Sequence, residues 1–282
     1  MKYAFIAAVI SGFSIFLNKF AVGVFPQPLV FTALKNSVVG LAIIALLITS
    51  GKWKLIKTLT KKDLVSLLAI GIIGGAIPFY LFFTGLSQIS AVNGAIIQKT
   101  LVIWVAILAV PLLKEKLTLT NILAVGLLFA GNLTIGGFKN FSYSSGELMI
   151  LTATLFWAVE TIFIKKINLD PDLVMTARMG FGSLILLFFT PMPTSFTLTQ
   201  LSWLGLTAVL LFTYVVCWLR ALKNAPAITV TSVLVLSTLI TNLLSTKFEV
   251  TQVGLMSVGV LLLLTPHYSS ILISKLRFLS KT

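Results

Sequence analysis

Ten runs of about twenty predominantly apolar residues follow one another along this chain and leave little sequence for anything else. A bilayer's hydrocarbon core is about 30 Å thick, and a helix of about 20 residues crosses it with its backbone polar groups bonded internally. Drawn between clusters of Gly, Pro, Asn, Asp and Lys, the runs cover 3–22, 29–49, 64–86, 93–113, 118–138, 146–166, 173–190, 201–222, 227–245 and 251–268. Charged residues make up 10% of the chain and mean hydropathy is +1.07, whereas a soluble domain is about 25% charged. An all-α integral membrane protein with ten transmembrane helices and no attached soluble domain is expected. The first run follows Lys2 and lacks a small-residue cleavage site, so it reads as a retained helix and not a signal peptide. A lone cysteine, Cys217, sits in the eighth run and excludes an internal disulfide framework.

The 21 Lys and Arg residues orient these runs. With the N-terminus in the cytoplasm, the inner segments hold Lys2, Lys52, Lys54, Lys57, Lys61, Lys62, Lys114, Lys116, Lys165, Lys166, Arg220, Lys223, Lys275, Arg277 and Lys281; the outer loops hold Lys139 and Lys247. Short cytoplasmic loops carry the excess of Lys and Arg, which predicts a multi-pass protein of the inner or plasma membrane with both termini inside. The formal net charge of +14 then needs no nucleic acid, because the cations lie in short loops facing anionic leaflet lipid.

The chain also resembles itself. Tyr80-Leu-Phe-Phe-Thr-Gly-Leu-Ser-Gln-Ile-Ser-Ala91 and Tyr214-Val-Val-Cys-Trp-Leu-Arg-Ala-Leu-Lys-Asn-Ala-Pro-Ala227 each close one span and start another after a very short turn. Lys114-Glu-Lys-Leu-Thr118 has a weaker partner in Lys247-Phe-Glu-Val-Thr251, Thr32-Ala-Leu-Lys35 in Thr176-Ala-Arg178, and Phe16-Leu-Asn-Lys19 in Ile162-Phe-Ile-Lys165. Their common order divides the chain into repeats at 1–138 and 146–282. Five spans is an odd number, so the second copy enters the membrane from the opposite side. The loop after the second span has five lysines, while its counterpart from Pro191 to Gln200 has no charge. Inverted repeats of this kind recur in secondary transporters, because exchanging the conformations of the halves turns an inward-facing state outward. An ancient duplication without moving parts is the plainer alternative.

Two five-helix halves, a Lys-ending first span, a cation near the start of spans 2 and 7, tight turns into spans 4 and 9, and the Lys114-Glu-Lys-Leu-Thr118 turn before a Gly-rich fifth span resemble the drug/metabolite transporter superfamily, specifically its EamA-type ten-helix members. The resemblance implies ten helices around a central cavity, with spans 5 and 10 at the periphery. It also implies movement of amino acids, other small metabolites or drugs across the inner membrane, often outward. It places Tyr80, Trp104, Trp157 and Tyr214 on spans around that cavity, where rings can stack on a ligand. Two features depart from the family pattern: Lys247-Phe-Glu249 stands where a Gly-Glu turn is usual, and span 1 has no Trp-Gly pair.

Ionisable groups inside spans cost about 2.5–3.5 kcal/mol each at the bilayer centre on insertion scales, so every one is a functional candidate. Lys19 lies about 10 Å outward of its helix midpoint and is expected to snorkel to the interface. Lys35 is expected to snorkel or to contact carbonyls at a neighbouring helix end. Glu160 and Arg178 share a depth on successive antiparallel helices, which suits either a structural ion pair or a protonatable coupling carboxyl with the cation elsewhere. Lys99 is flanked by Gln98 and Thr100 and has no acidic residue at its depth in any span. A water-filled cavity or an anionic ligand group explains such a cation, and a long snorkel is the alternative.

Weaker signals remain. Gly71, Gly74, Gly75 and Pro78 suggest a kink or a close helix approach in span 3, and the glycines of spans 5 and 10 (Gly126, Gly131, Gly136, Gly254 and Gly259) suggest close packing that leaves a homodimer open. Thr229, Thr231, Ser232, Ser237, Thr238 and Thr241 fit a cavity wall or interhelical hydrogen bonds. His267 reads as a solvated helix terminus. There is no Walker-type loop, no metal-spaced His/Cys/Asp/Glu set and no nucleophile with a base, so no cofactor, no metal and no enzymatic activity are expected. The leading expectation is a secondary carrier of small organic metabolites. An anion or nucleotide-sugar exchanger and a non-transporting scaffold or sensor are the alternatives, and the exchanger would want paired cations in span 9, which has none between Ala227 and Thr246.

Overall fold

The computed structural model of the protein describes residues 1–117, 119–134, 143–191, 193–245 and 250–262. Lys139, Lys247, His267, Gly136 and the cations of the C-terminal tail lie outside them. The described residues form helices and no strands. In chain order these are α1 (Lys2–Gly23), α2 (Pro28–Thr49), α3 (Lys61–Gln88), α4 (Ala91–Leu113), α5 (Leu119–Leu133), α6 (Ser145–Ile167), α7 (Pro171–Phe188), α8 (Leu198–Asn224), α9 (Ala227–Leu244) and α10 (Val250–Leu262). Eight of them, all but α5 and α10, are long and apolar enough to cross a membrane. Those eight match the apolar runs to within about three residues at each end.

Local chemistry sets these boundaries. Thr60, Ser144 and Thr197 each accept from the backbone N–H three residues on, and Asp63, Glu147 and Gln200 return the bond, making capping boxes at the starts of α3, α6 and α8. Ser90 caps α4 and Asp170 caps α7. Pro28 and Pro171 occupy first-turn positions where no N–H is needed. Lys114 and Asn168 end α4 and α6 in the left-handed conformation. Beyond α2, a 3₁₀ turn (Lys52–Thr58) brings Lys52 against the start of α7, where its ammonium lies 2.6 Å from Asp172 and 3.1 Å from Asp170. The hydrogen bond that Lys52 donates to the Asp172 carboxylate holds its ammonium above the usual lysine pKa.

The start of α9 is capped from far away in sequence. Pro226 offers no side-chain acceptor, and the Glu115 carboxylate instead accepts from Ala227 N–H at 2.7 Å and Ile228 N–H at 3.1 Å. A carboxylate suits the positive end of a helix dipole. Glu115→Ala is expected to lower stability by about 0.5–2 kcal/mol, the usual cost of a lost cap, read as a lower melting temperature in detergent.

Four helices are interrupted inside the bundle. α4 breaks at Thr100, α9 breaks at Val235 and Leu236, and α3 passes through a π-helical segment at Gly71–Ala76. A second π-helical segment, Ala177–Phe181, carries Arg178 in α7, and the two π segments pack against each other. Pro78 has no N–H to give the Gly74 carbonyl one turn back. That carbonyl accepts from Trp157 Nε1 at 3.2 Å instead, and the next one, Gly75 O, accepts from Asn36 Nδ2 at 3.4 Å. The glycines that suggested a kink or close approach thus mark a π turn held by two side chains of neighbouring helices.

The core is built mainly between the two halves of the sequence: α1 packs on α8 and α9, α6 on α3 and α4, α2 on α7 and α8, and α4 on α9. α5 and α10 pack on each other, with Gly131 against Gln252 and Met256, and Gly259 against Ala124 and Leu128. Those two glycines serve a contact within the chain, while Gly126 and Gly254 face open space. Of the α9 hydroxyls, Thr231, Ser232 and Thr238 turn back to their own helix, and Thr241 also donates to Gly12 O of α1 at 3.0 Å. None of these four hydroxyls borders the space inside the bundle.

Candidate functional site

Polar residues of α1 occur at Ser11, Ser14 and Asn18, three to four apart and therefore on one helical face. That face borders a cavity inside the bundle. Around it stand Phe79, Phe82 and Phe83 of α3, Gln98, Lys99 and Leu101 at the break in α4, Trp157 of α6, Arg178 of α7, Leu211, Tyr214 and Trp218 of α8, and Leu234 of α9. About 650 Å³ of space not filled by protein atoms, part of it open to solvent, lies among them.

Four charged side chains sit in or directly behind this wall, none more than 3% exposed. Lys99 Nζ donates to Ser11 Oγ at 3.1 Å and to Gln98 Oε1 at 2.7 Å. Arg178 donates from Nε to Glu160 Oε1 at 2.6 Å, while Glu160 Oε2 is buried without a hydrogen-bond partner. The guanidinium carbon lies 4.9 Å from the Phe79 ring centre and 5.0 Å from that of Trp218. Lys35 is fully buried; its Nζ donates to Asn18 Oδ1 at 3.0 Å and sits 3.4 Å from the Phe83 ring centre and 4.3 Å from that of Phe31. Ring faces offset part of the cost of burying a cation.

Two further lysines tie helix ends together. Lys19 of α1 donates to Leu86 O and Ser87 O at the end of α3, at 3.0 and 2.9 Å. Lys165 of α6 donates to Leu222 O and Ala225 O at the end of α8, both at 3.0 Å. In each case a cation meets the negative end of a helix dipole.

Several sequence expectations meet different surroundings. Lys19 is half-buried and binds helix-end carbonyls. Lys35 stays inside, because Asn18 and two aromatic rings give its ammonium a local partner set. Among the aromatic candidates, Trp157 and Tyr214 line the cavity, but Tyr80 and Trp104 do not. Tyr80 is 40% exposed on the outer surface of α3, whereas the cavity takes Phe79, Phe82 and Phe83 from the opposite face. Trp104 lies beyond the break in α4, half-buried, with its Nε1 unbonded. Gln98 and Lys99 come together as bonded neighbours in the wall, and Glu160 and Arg178 form an ion pair. Sequence reasoning missed Ser11, Ser14, Asn18 and Trp218. The three-to-four spacing of the first three, and of Leu211, Tyr214 and Trp218, was the available signal.

The sequence pattern of the EamA-like transporter family matches residues 1–137 and again residues 144–266. An uncharacterized transporter of Bacillus subtilis (strain 168), YyaM, is 31% identical over 229 residues, covering 75% of this chain and 74% of the relative. An uncharacterized transporter of Methanothermobacter thermautotrophicus is 26% identical over 152 residues, which is 50% of this chain and 44% of that one. A solved crystal structure superposes with a TM-score of 0.67 over 91% of this chain and 96% of its own, at 16% identity, a likeness of fold alone. With family matches over most of its length and eight helices long and apolar enough to cross a membrane, this chain is a multi-pass membrane protein that belongs to the EamA-like transporter family, as its resemblance to the drug/metabolite transporter superfamily leads one to expect.

Proposed function

We propose that the protein is a secondary carrier that moves small organic metabolites across the inner membrane by alternating access, with the central cavity as its substrate site. The observation that carries this reading is the cavity wall: α1, α3 and α4 of one half and α6 to α9 of the other close around one aromatic-lined, mainly apolar space into which a few polar and charged groups reach. A ligand held there touches both halves, so its binding is coupled to their relative position. Lys99, Gln98, Trp157 and Tyr214 are its proposed contacts. Interrupted helices beside such a space are a recurring feature of carriers, and α4 breaks directly after Lys99.

The halves are proposed to be inverted five-helix repeats, 1–138 and 146–282, giving ten spans with α5 and α10 peripheral. Paired features support this. Lys19 with the end of α3 corresponds to Lys165 with the end of α8; Lys35 between rings corresponds to Arg178 between rings; the break in α4 corresponds to that in α9. Exchanging the halves converts the α1–α8 contact into α6–α3 and the α1–α9 contact into α6–α4, and both occur. The Lys and Arg asymmetry supports cytoplasmic termini. Outward movement is the proposed direction, and Glu160, with one carboxyl oxygen unpartnered, is the proposed proton-coupling group.

Counterflow of labelled amino acids, nucleosides and organic acids in proteoliposomes tests the carrier reading. Accumulation of at least one solute against its unlabelled form is expected. No counterflow across the screen points to a scaffold or sensor, and flux seen only with a different internal counter-substrate points to an obligate exchanger.

A further inference from the structure

We propose that this cavity selects organic anions with a flat apolar body over zwitterions and cations built on the same skeleton. The inference narrows the substrate class of the carrier proposed above and rests on that reading. Its basis is a charge imbalance. The wall and the layer directly behind it hold three basic side chains, Lys35, Lys99 and Arg178, against one acid, Glu160, a formal excess of two positive charges in a region removed from water. The other buried acids, Glu147 and Asp172, belong to the starts of α6 and α7, where one completes a capping box and the other pairs with Lys52.

The three cations differ in what satisfies them. Arg178 has a carboxylate, and Lys35 has an amide oxygen and two ring faces. Lys99 has two neutral oxygens for three N–H donors and no carboxylate, and it lies in the cavity wall. A carboxylate or sulfonate entering the cavity supplies the missing acceptor and removes part of the imbalance, and a charge-assisted bond of this kind is stronger than a neutral one.

A substrate ammonium finds the opposite situation. Glu160 Oε1 is already engaged by Arg178, and three of the rings around the cavity already carry a cation: Phe83 that of Lys35, Phe79 and Trp218 that of Arg178. The remaining rings, Phe82 and Trp157 tilted against each other and Tyr214 stacked on Trp218, add apolar wall that suits a planar hydrocarbon body.

The test uses the full chain in lipid nanodiscs and four ligands on one skeleton: phenylacetate, phenylglycine, phenethylamine and phenylacetamide, titrated calorimetrically. Phenylacetate is expected to bind at least about tenfold more tightly than each of the others, and Lys99→Gln is expected to erase that preference. Equal or tighter binding of phenylglycine or phenethylamine to the wild-type protein overturns the proposal without reference to any variant. A preference that survives Lys99→Gln overturns the assigned anchor. Absence of binding by all four overturns the substrate class, while the carrier reading is decided separately by the counterflow screen, which can succeed with another solute.

Discussion

Glu160→Leu is expected to lower the unfolding free energy by about 3–5 kcal/mol, the cost of breaking a buried ion pair from one side, and Arg178→Met is expected to cost less. The asymmetry follows from chemistry. Removing Glu160 strands a guanidinium that stays charged at any accessible pH, whereas removing Arg178 leaves a carboxyl that can bind a proton and become neutral. Both groups are essentially excluded from solvent, so neither can turn outward to recover hydration. The double variant Glu160→Leu/Arg178→Met is expected to regain most of the loss, because the desolvation cost of both ions disappears together. Chemical or thermal denaturation in detergent measures all three. Equal losses for the two single variants, or additive loss in the double, would show that the pair contributes little beyond packing.

The same pair carries the coupling hypothesis. Glu160→Gln keeps an oxygen to accept from Arg178 Nε but has no titratable proton. If Glu160 loads and releases a proton at its unpartnered Oε2, this variant stays folded and performs counterflow, while uptake driven by a pH gradient is lost. Unchanged pH-driven uptake removes Glu160 from the mechanism.

The reach of the sequence can be followed residue by residue. Span boundaries were legible because the solvent changes along the chain: where apolar runs meet Thr60, Ser144 or Thr197, the hydroxyl caps a helix end. The pairing of Glu160 with Arg178 was legible as one option because depth follows from helical rise, and two unlike charges at one depth on adjacent helices lie within reach of each other. Rotation about the helix axis is harder to read in a membrane. Lipid is as apolar as the core, so Tyr80 and Phe79 carry no hydropathy contrast to say which faces inward. The partners of Lys19 and Lys35 depend on backbone carbonyls and ring faces, which every sequence contains and no motif marks. The π turn was half legible: Pro78 and its glycines announced an irregularity, but its form depends on Trp157 and Asn36, which come from other helices.

That turn is also where side-chain volume is least tolerated. At the crossing of α3 and α7, a Cβ on Gly75 would overlap the Arg178 carbonyl, and a Cβ on Gly182 would overlap the Gly75 backbone. Both obstacles are main chain within helices, so neither can rotate away as a side-chain tip could. Gly182→Val must therefore separate α3 from α7. That displaces the segment carrying Arg178 and loosens its bond to Glu160, whose carboxylate in turn fills the space beside Gly74. Overpacking costs about 1–3 kcal/mol and occasionally more, and backbone against backbone belongs at the upper end. Gly75→Val is expected to behave alike. Gly126→Ala should move the other way, since nothing lies within 4 Å of its added Cβ and alanine is favoured over glycine in a helix by about 1 kcal/mol. Melting temperatures in detergent then rank Gly126→Ala at or above wild type and Gly182→Val far below it. If Gly182→Val melts like wild type, the two π segments do not depend on backbone contact, and the close crossing is not what positions Arg178 at the cavity.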